Sequence, residues 1–496
     1  MGKDIDKVEF TTDDRRRYRE KVRQNLDALR SMLDARSFET GRKLIGVEME
    51  FYVVDDDGWP MNINEQLLSS IESEDFQTEL AQFNIEFNLD PHKLVGTVFR
   101  EVEEELLTSY NFANRRAHDL GARVVMIGVL PTLSDLHVTI ENISQNPRYH
   151  LLNEQILEAR GEDIVIHIDG REHLEFRDSS IIIEAAATSV QLHLQVSPAG
   201  FGRTWNAAQA VAAPQVAVAA NSPFLLGKEL WQETRIAVFE QSIDTRSEEL
   251  AAQGVRPRVW FGEKWIESVA DLFEENVTYF PSLLPLVDDE DPHEVLLAGG
   301  IPHLPELTLH NGTIYRWNRP VYAVARGKPH LRVENRVLPA GPTITDVVAN
   351  AAFYFGLVRG LADLPEPIEA RMSFQVATEN FVAAARDGLE AELFWPGAGT
   401  VPVTELTLRT LLPLAHAGLD AWQVDAEDRD HYLGIIEQRC LTGRNGAEWQ
   451  SETVAAFQHA GLHRADALTA MTRQYIRNMG SNQPVHTWGV PEDAIA

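Results

Sequence analysis

The chain reads as an α+β protein built round an antiparallel sheet, and three observations predict it. Four short stretches alternate apolar and polar residues at the period of a strand, helical stretches are interspersed without a regular βαβα rhythm, and after about residue 365 only helical signals remain. With 496 residues, 44% hydrophobic and 24% charged, the composition is that of an ordinary folded protein, and the length suits about two to four domain-sized units. The expected organisation is a helix within residues 1–40 packed on an α+β domain of residues 41–365, followed by a helical region, 366–496.

Taken in order, Thr11-Thr12-Asp13-Asp14 supplies a capping hydroxyl and acids for a helix start, and Tyr18, Val22, Leu26, Leu29 and Leu33 carry that helix to about residue 36. The first strand, 44–54, sets Val47, Met49, Phe51 and Val53 against Glu48 and Glu50. Asp55-Asp56-Asp57-Gly58 ends it as a hairpin turn, since the spacing and closing Glu of an EF-hand are missing. In 83–89, Phe83, Ile85, Phe87 and Leu89 oppose Asn84, Glu86 and Asn88. A helix over about 99–121, an apolar strand over 123–130 and another at 164–168 follow. Residues 190–196 set Val190, Leu192, Leu194 and Val196 against Gln191, His193 and Gln195. Residues 207–220 form a buried helix in spite of Pro214, and 230–249 reads as helical. In 331–337, Leu331, Val333 and Val337 oppose Arg332, Glu334 and Arg336. Helices over 376–393, 403–419, 427–441 and 448–460 are separated by Pro, Gly or Asn-Gly signals.

Charge excludes several functions. The net charge of −31 opposes nonspecific binding to nucleic acid or anionic membrane, which need a basic surface. No apolar run is long enough to span a bilayer, and Met1 to Phe10 has scattered charges and no apolar core of a secretory signal. Cys440 is the only cysteine, which excludes disulfide scaffolds and thiolate zinc sites within one chain and makes a cytoplasmic location the expectation. It falls in a helical segment far from the polar strands and is not expected to be a catalytic thiol.

If the four strands share a sheet, one face is core and the other a cup of carboxylates, amides, one imidazole and two guanidinium groups. Antiparallel sheets routinely carry charge on a solvated face. These faces, however, hold Glu, Asn, Gln, His and Arg with no Lys at all. Converging carboxylates resist ionising together unless a cation sits among them, and a divalent metal is the economical reading. Phosphate-binding glycine loops, H-E-x-x-H, G-x-S-x-G and kinase signatures are absent from the sequence.

Four ordered motifs carry a family resemblance: Gly46-Val47-Glu48-Met49-Glu50-Phe51, then Thr78-Glu79 with Glu86 seven residues on, Leu192-His193-Leu194-Gln195-Val196-Ser197, and Arg332-Val333-Glu334-Asn335-Arg336. Supporting segments include Asn221-Ser222-Pro223-Phe224, His310-Asn311-Gly312-Thr313, Trp317-Asn318-Arg319-Pro320 and Leu338-Pro339-Ala340-Gly341-Pro342-Thr343. Over about residues 44 to 360 the chain resembles the glutamate–cysteine ligase family, in particular its bacterial type 2 branch, among the carboxylate–amine ligases of glutamine-synthetase-like fold. The C-terminal helices look like an extension found in only some relatives.

The resemblance implies a cup of glutamine-synthetase catalytic-domain type holding ATP and Mg²⁺, with Glu48, Glu50, Glu79, Glu86, His193 and Glu334 as metal ligands. A lone His among carboxylates also permits Mn²⁺. Glu334 and Arg336 become the catalytic pair, Arg336 touching the phosphate or acyl phosphate. Arg332, Arg319 and Arg316 are assigned to the nucleotide, and Arg235 and Arg246 to substrate carboxylates. Trp317 is read as packing. Relatives can have Asp at the place of Glu79, which lies an odd number of residues from Glu86, so a bend near 80–82 is required for both to face the cup. The implied activity is ATP-dependent joining of a carboxylate to an amine through an acyl phosphate, with glutamate and cysteine as small-molecule substrates. A different amine, a metal-dependent hydrolase and a noncatalytic metabolite-binding protein are the alternatives. No nucleic-acid or membrane partner is expected, and self-association is compatible with the sequence.

Overall fold

The computed structural model describes residues 10–491, so the reading of Met1 to Phe10 lies almost wholly outside the described residues. The first helix, Thr12–Asp34, starts where the capping residues put it: Asp14 N donates to Thr11 Oγ1 (3.2 Å) and Thr11 N to Asp14 Oδ2 (2.9 Å). It packs on the helix Pro305–Gly312, where the Tyr18 hydroxyl donates to the Glu306 carbonyl at 2.9 Å.

An eight-stranded antiparallel sheet forms the centre. Its strands are β1 (Leu44–Val54), β2 (Phe76–Thr78), β3 (Asn84–Asn88), β4 (His92–Lys93), β5 (Arg123–Val125), β8 (Ser189–Val196) and the outer hairpin Asn318–Ala325/Lys328–Pro339. Between β5 and β8 the chain forms a separate hairpin, β6 (Ile164–Asp169) and β7 (His173–Asp178). In the sheet, Lys328–Pro339 pairs with β8, β8 with β1, β1 with β3 and β3 with β2; β4 and β5 pair with the two ends of β1. The Asp55–Gly58 segment turns tightly, with Gly58 N donating to Asp55 O and Met61 N to Val53 O.

Every second residue of β1 feeds the core: Val47, Met49 and Phe51 are each 2% exposed or less. Against this face lies the buried helix Phe201–Ala219, which keeps Pro214 inside it and is itself covered by the helix Ile344–Ala362. Four amide side chains join it to the sheet. Asn318 Nδ2 donates to Gln209 Oε1 (2.7 Å), Asn335 Nδ2 to Asn318 Oδ1 (2.9 Å) and Gln215 Nε2 to Asn335 Oδ1 (2.8 Å), all fully buried.

Four sequence expectations are corrected. The 123–130 strand ends at Val125, because Gly128 leaves the ladder: its N–H donates to the Asn221 carbonyl and its carbonyl accepts from Thr188 N. The 230–249 helix is two shorter ones, Thr234–Ser242 and Glu248–Ala252, broken where Arg246 folds back onto Asp244. The 376–393 helix ends at Asp387, and Glu392–Trp395 pairs with Gly399–Pro402 in a hairpin, so strands do occur after residue 365. Its alternation is plain, with Leu393 and Trp395 buried and Glu392 and Phe394 exposed. Helices Asn64–Ile71 and Arg464–Met479 were not anticipated.

The C-terminal helices close on this core. The helix Leu412–Ala421 crosses Ile344–Ala362 so tightly that a Cβ added at Gly418 would stand 1.9 Å from the Gly356 carbonyl oxygen. From Arg464–Met479, the Tyr475 hydroxyl donates to the Met126 carbonyl (2.8 Å) and accepts from Asn221 Nδ2 (2.8 Å). No helix among the described residues is long and apolar enough to cross a membrane.

Candidate active site

Strand register places two triads of ligand-type side chains on the polar face of the sheet. In the first, Glu334 lies directly opposite His193, and His193 lies opposite Gly46 and beside Glu48. His193 Nε2 stands 2.8 Å from Glu48 Oε1 and 3.9 Å from Glu334 Oε1. In the second, Glu50 pairs with Glu86 across β1 and β3, and Glu79 follows the end of β2. Within each triad one ligand atom per residue lies within 4.8 Å of the others. The expected bend is present. The pairing of β2 with β3 stops at Thr78 and Ile85, and Ala81 instead bridges to Ile143.

Each carboxylate is oriented by its neighbours. Glu50 accepts from Ser189 N (2.6 Å), Ser189 Oγ (3.0 Å) and Gln191 Nε2 (3.0 Å). Glu86 accepts from Gln77 Nε2 and from Asn88 Nδ2 (2.9 Å). Glu334, 1% exposed, takes a forked pair from Arg319, with Nη2 at 2.8 Å, and a longer bond from Arg336 Nη1 at 3.3 Å. Arg336 also donates to Gln191 Oε1. It leaves the strand at a bulge between Asn335 and Leu338, and its N–H bonds to the Trp317 carbonyl instead of β8.

The two triads differ in charge balance. Burial would raise the Glu334 pKa, but Arg319, Arg336 and His193 outweigh it and hold the carboxyl well below its usual range. Glu48 is lowered against its burial, chiefly by His193. In the second triad burial wins. Glu86 is pushed up to about 7 by burial and by Glu48 and Glu50. Glu79 rises well above its ordinary value through burial and its neighbours Glu86 and Glu50, and Glu50 rises although Arg336 opposes it.

Buried polar atoms test whether such a face suits cations and anions. Neither nitrogen of His193 makes a hydrogen bond, the 2.8 Å contact to Glu48 being misaligned for one, and the Nε atoms of Arg332 and Arg336 are buried without an acceptor. Unpartnered buried groups are costly, and where they converge with ligand-type carboxylates they fit a place that a bound ion or phosphate would complete. An imidazole nitrogen and a carboxylate oxygen in contact without a hydrogen bond fit a shared metal ion. The donor set, mostly hard oxygen with one imidazole, suits Mg²⁺ or Mn²⁺.

The arginines divide. Arg319, Arg332 and Arg336 border the first triad, and burial lowers the Arg332 pKa against Glu48 and Glu334. Arg235 lines a small pocket with Glu50, Glu184, Ser189, Phe239 and Arg336, but its head is largely committed: Nε donates to Glu233 (3.0 Å), and its Nη atoms to the carbonyls of Arg336 and Val337. Arg316 is not brought to the cup. It is 1% exposed and bonded to Glu275 (2.7 Å) and Asn276 (2.9 Å). Arg246 forks onto Asp244 and donates to the Val255 carbonyl. Trp317 packs on Phe239 and Phe381, as its reading as a packing residue expects. Sequence reasoning missed Glu184, in the turn Ile182–Ala186, which burial and Glu50 push up to about 8 against Arg336. Its signal was a lone acid in the run 181–187, otherwise entirely Ile and Ala.

The family model described as glutamate-cysteine ligase family 2 matches residues 44–474, well past residue 360 and through most of the C-terminal helices, which are therefore no mere extension. No curated relative matches the sequence. The crystal structure of a glutamate–cysteine ligase from Francisella tularensis in complex with AMP is similar over 92% of both chains, with 13% identity and a TM-score of 0.55, which shows a shared fold. A bifunctional glutathione synthetase from Pasteurella multocida is similar over 92% of this chain and 55% of its own, with 12% identity and a TM-score of 0.48. The fold is thus the glutamine-synthetase-like one, a curled antiparallel sheet among many helices.

Proposed function

Because the chain belongs to glutamate–cysteine ligase family 2, a family of carboxylate–amine ligases, we propose that it joins the γ-carboxylate of glutamate to the amine of cysteine at the expense of ATP. One observation carries this reading: two triads of metal-ligand type share a sheet face with three arginines, and buried nitrogens of His193, Arg332 and Arg336 lack partners. Glu48, His193 and Glu334 would hold one Mg²⁺ and Glu50, Glu79 and Glu86 another. When bound, such ions would supply the positive charge that offsets phosphate oxygens.

The protein's own part is positioning and charge compensation, which carry most of the catalysis in phosphoryl transfer. Arg332 and Arg336 present unshared N–H groups to the triphosphate. Arg336, next to the pocket bordered by Glu184, faces the point where the glutamate carboxylate takes the γ-phosphoryl group and ADP leaves. The amine then attacks the acyl phosphate and inorganic phosphate departs. The pocket sets Arg336 for a substrate carboxylate and Glu184, whose ionised form an arriving ammonium would favour, for a substrate amine, which suits an amino acid. Arg235 supports this pocket by clamping the two carbonyls that aim Arg336.

Incubation with ATP, Mg²⁺, glutamate and a panel of amines, followed by mass spectrometry, tests the reading. The expected result is ADP formation that requires glutamate and yields a γ-glutamyl amide, with cysteine the preferred amine. Preference for another amine would move the substrate assignment. Amide or phosphate-ester hydrolysis without ATP, or no nucleotide turnover with any amine, would overturn the ligase reading.

A further inference from the structure

The β6–β7 hairpin stands apart from the catalytic sheet and carries a third cluster of ligand-type residues. Its inner face is apolar, with Ile164, Ile166, Ile168 and Leu174 buried, so the strand period sends His167 and Asp169 of β6 and His173 and Glu175 of β7 to the outside. Asp169 and His173 are directly opposed beside the turn, and His167 is the next outward residue along β6. One carboxylate serves both rings: Asp169 Oδ1 lies 2.7 Å from His173 Nδ1 and Oδ2 lies 3.2 Å from His167 Nε2. The ring centroids are 4.9 Å apart and nearly perpendicular, at 71°. Glu175, opposite His167, is engaged by Arg177 at 3.2 Å, which leaves three free protein donors.

We propose that His167, Asp169 and His173 form a binding site for a divalent transition-metal ion of the Zn²⁺ kind, separate from the catalytic cup. Two imidazoles and one carboxylate select such ions over Mg²⁺, whose preferred ligands are hard oxygens. The geometry needs little adjustment. Ligands about 2.0–2.1 Å from a tetrahedral ion stand about 3.3–3.4 Å apart, and one donor atom of each residue already lies within 4.8 Å of the others, so small side-chain rotations bring the three onto one ion, with solvent in the fourth position.

The scaffold is also held in place. The Trp231 indole N–H donates to the Asp169 carbonyl at 2.8 Å. Gly170 is pressed so closely on Leu230 that a Cβ there would lie 2.5 Å from its carbonyl carbon, and Glu172 exchanges two backbone-directed bonds with Glu229. The hairpin tip is therefore fixed before any ion arrives. All three side chains are more than half exposed, which leaves the entry path open.

Equilibrium dialysis of the full, tag-free chain against micromolar Zn²⁺ in millimolar Mg²⁺ tests the site, with the hard-oxygen ligands of the cup supplied with their own ion. The expected result is that wild type binds one more equivalent of Zn²⁺ than His173→Ala or His167→Ala, with unchanged thermal transitions in the absence of Zn²⁺. Should an alanine variant fail to fold, Asp169→Asn keeps the side-chain shape and is expected to lose the same equivalent. Zn²⁺ stoichiometry equal to wild type in the folded variants, or no Zn²⁺ bound by wild type under these conditions, would overturn the proposal. Neither result bears on the ligase reading, whose assay is independent.

Discussion

Glu334 answers to two guanidinium groups at once, Arg319 and Arg336, with the His193 imidazole 3.9 Å away, inside a buried sheet face. A carboxylate surrounded only by other acids would stabilise the fold when neutralised. Glu334→Gln instead strips compensation from buried guanidinium groups, so it is expected to abolish ADP formation and to lower unfolding stability by about 3 kcal/mol in urea titration. The other triad behaves in the opposite way. Glu86 of that triad, at about 7, and Glu184 of the adjoining pocket, at about 8, bind protons more tightly in the fold than their ordinary value of 4.5. As pH rises above 4.5 the unfolded chain releases those protons first, so metal-free stability falls toward pH 8, by on the order of 1.4 kcal/mol per unit of displacement for each group. Scanning calorimetry should therefore find a melting temperature that drops from about pH 5 to about pH 8 without Mg²⁺, and a larger rise on adding Mg²⁺ at the higher pH. A pH-independent Mg²⁺ effect would remove the acidic triad as its binding place. Glu48, Glu50, Glu86, Glu334 and His193 were legible in the sequence because strand period sorts them onto one face, whereas Glu79, beyond the end of its strand, was named only through the family resemblance. Arg316 and Arg246 were not legible, since an arginine's long stem lets its head find Glu275 or Asp244, which no local pattern reveals.

At the scale of elements, strands came through best. The 44–54 reading matches β1 residue for residue, because apolar and charged side chains that alternate along an eleven-residue stretch cannot be sorted onto the two sides of a helix. The 123–130 strand and the 230–249 helix failed for related reasons: Gly128 bonds to Asn221 and Thr188, far along the chain, and Arg246 folds back onto Asp244 between the two shorter helices. Local propensity carries no record of such partners. The crossing of Leu412–Ala421 over Ile344–Ala362 is likewise invisible locally, yet it depends on one hydrogen atom at Gly418. Gly418→Ala is expected to force the two backbones apart and cost about 3 kcal/mol in urea unfolding, while Ala substitution at the open Gly434 of the neighbouring helix is expected not to destabilise.

For the molecule as a whole, the sequence disclosed an antiparallel sheet and the polar side chains of one face but not its dependence on the last quarter of the chain. The helix Ile344–Ala362 is buried along nearly its full length, with earlier helices on one flank and Leu412–Ala421 and Ala426–Thr442 on another. A chain ending at residue 365 is therefore expected to expose that apolar surface and to bind a hydrophobic dye or precipitate. A soluble, cooperatively melting fragment would show that residues 41–365 stand alone after all. The buried amides Gln209, Asn318, Asn335 and Gln215 have one more consequence. They sit just behind the strands that carry Arg319, Glu334 and Arg336, and sliding the outer hairpin by two residues would keep the hydrophobic pattern intact while stranding all four. The network thus acts as a proofreader: a misaligned sheet, which would hold the same acids and bases in the wrong neighbourhoods, is rejected during folding rather than surviving as an inactive look-alike.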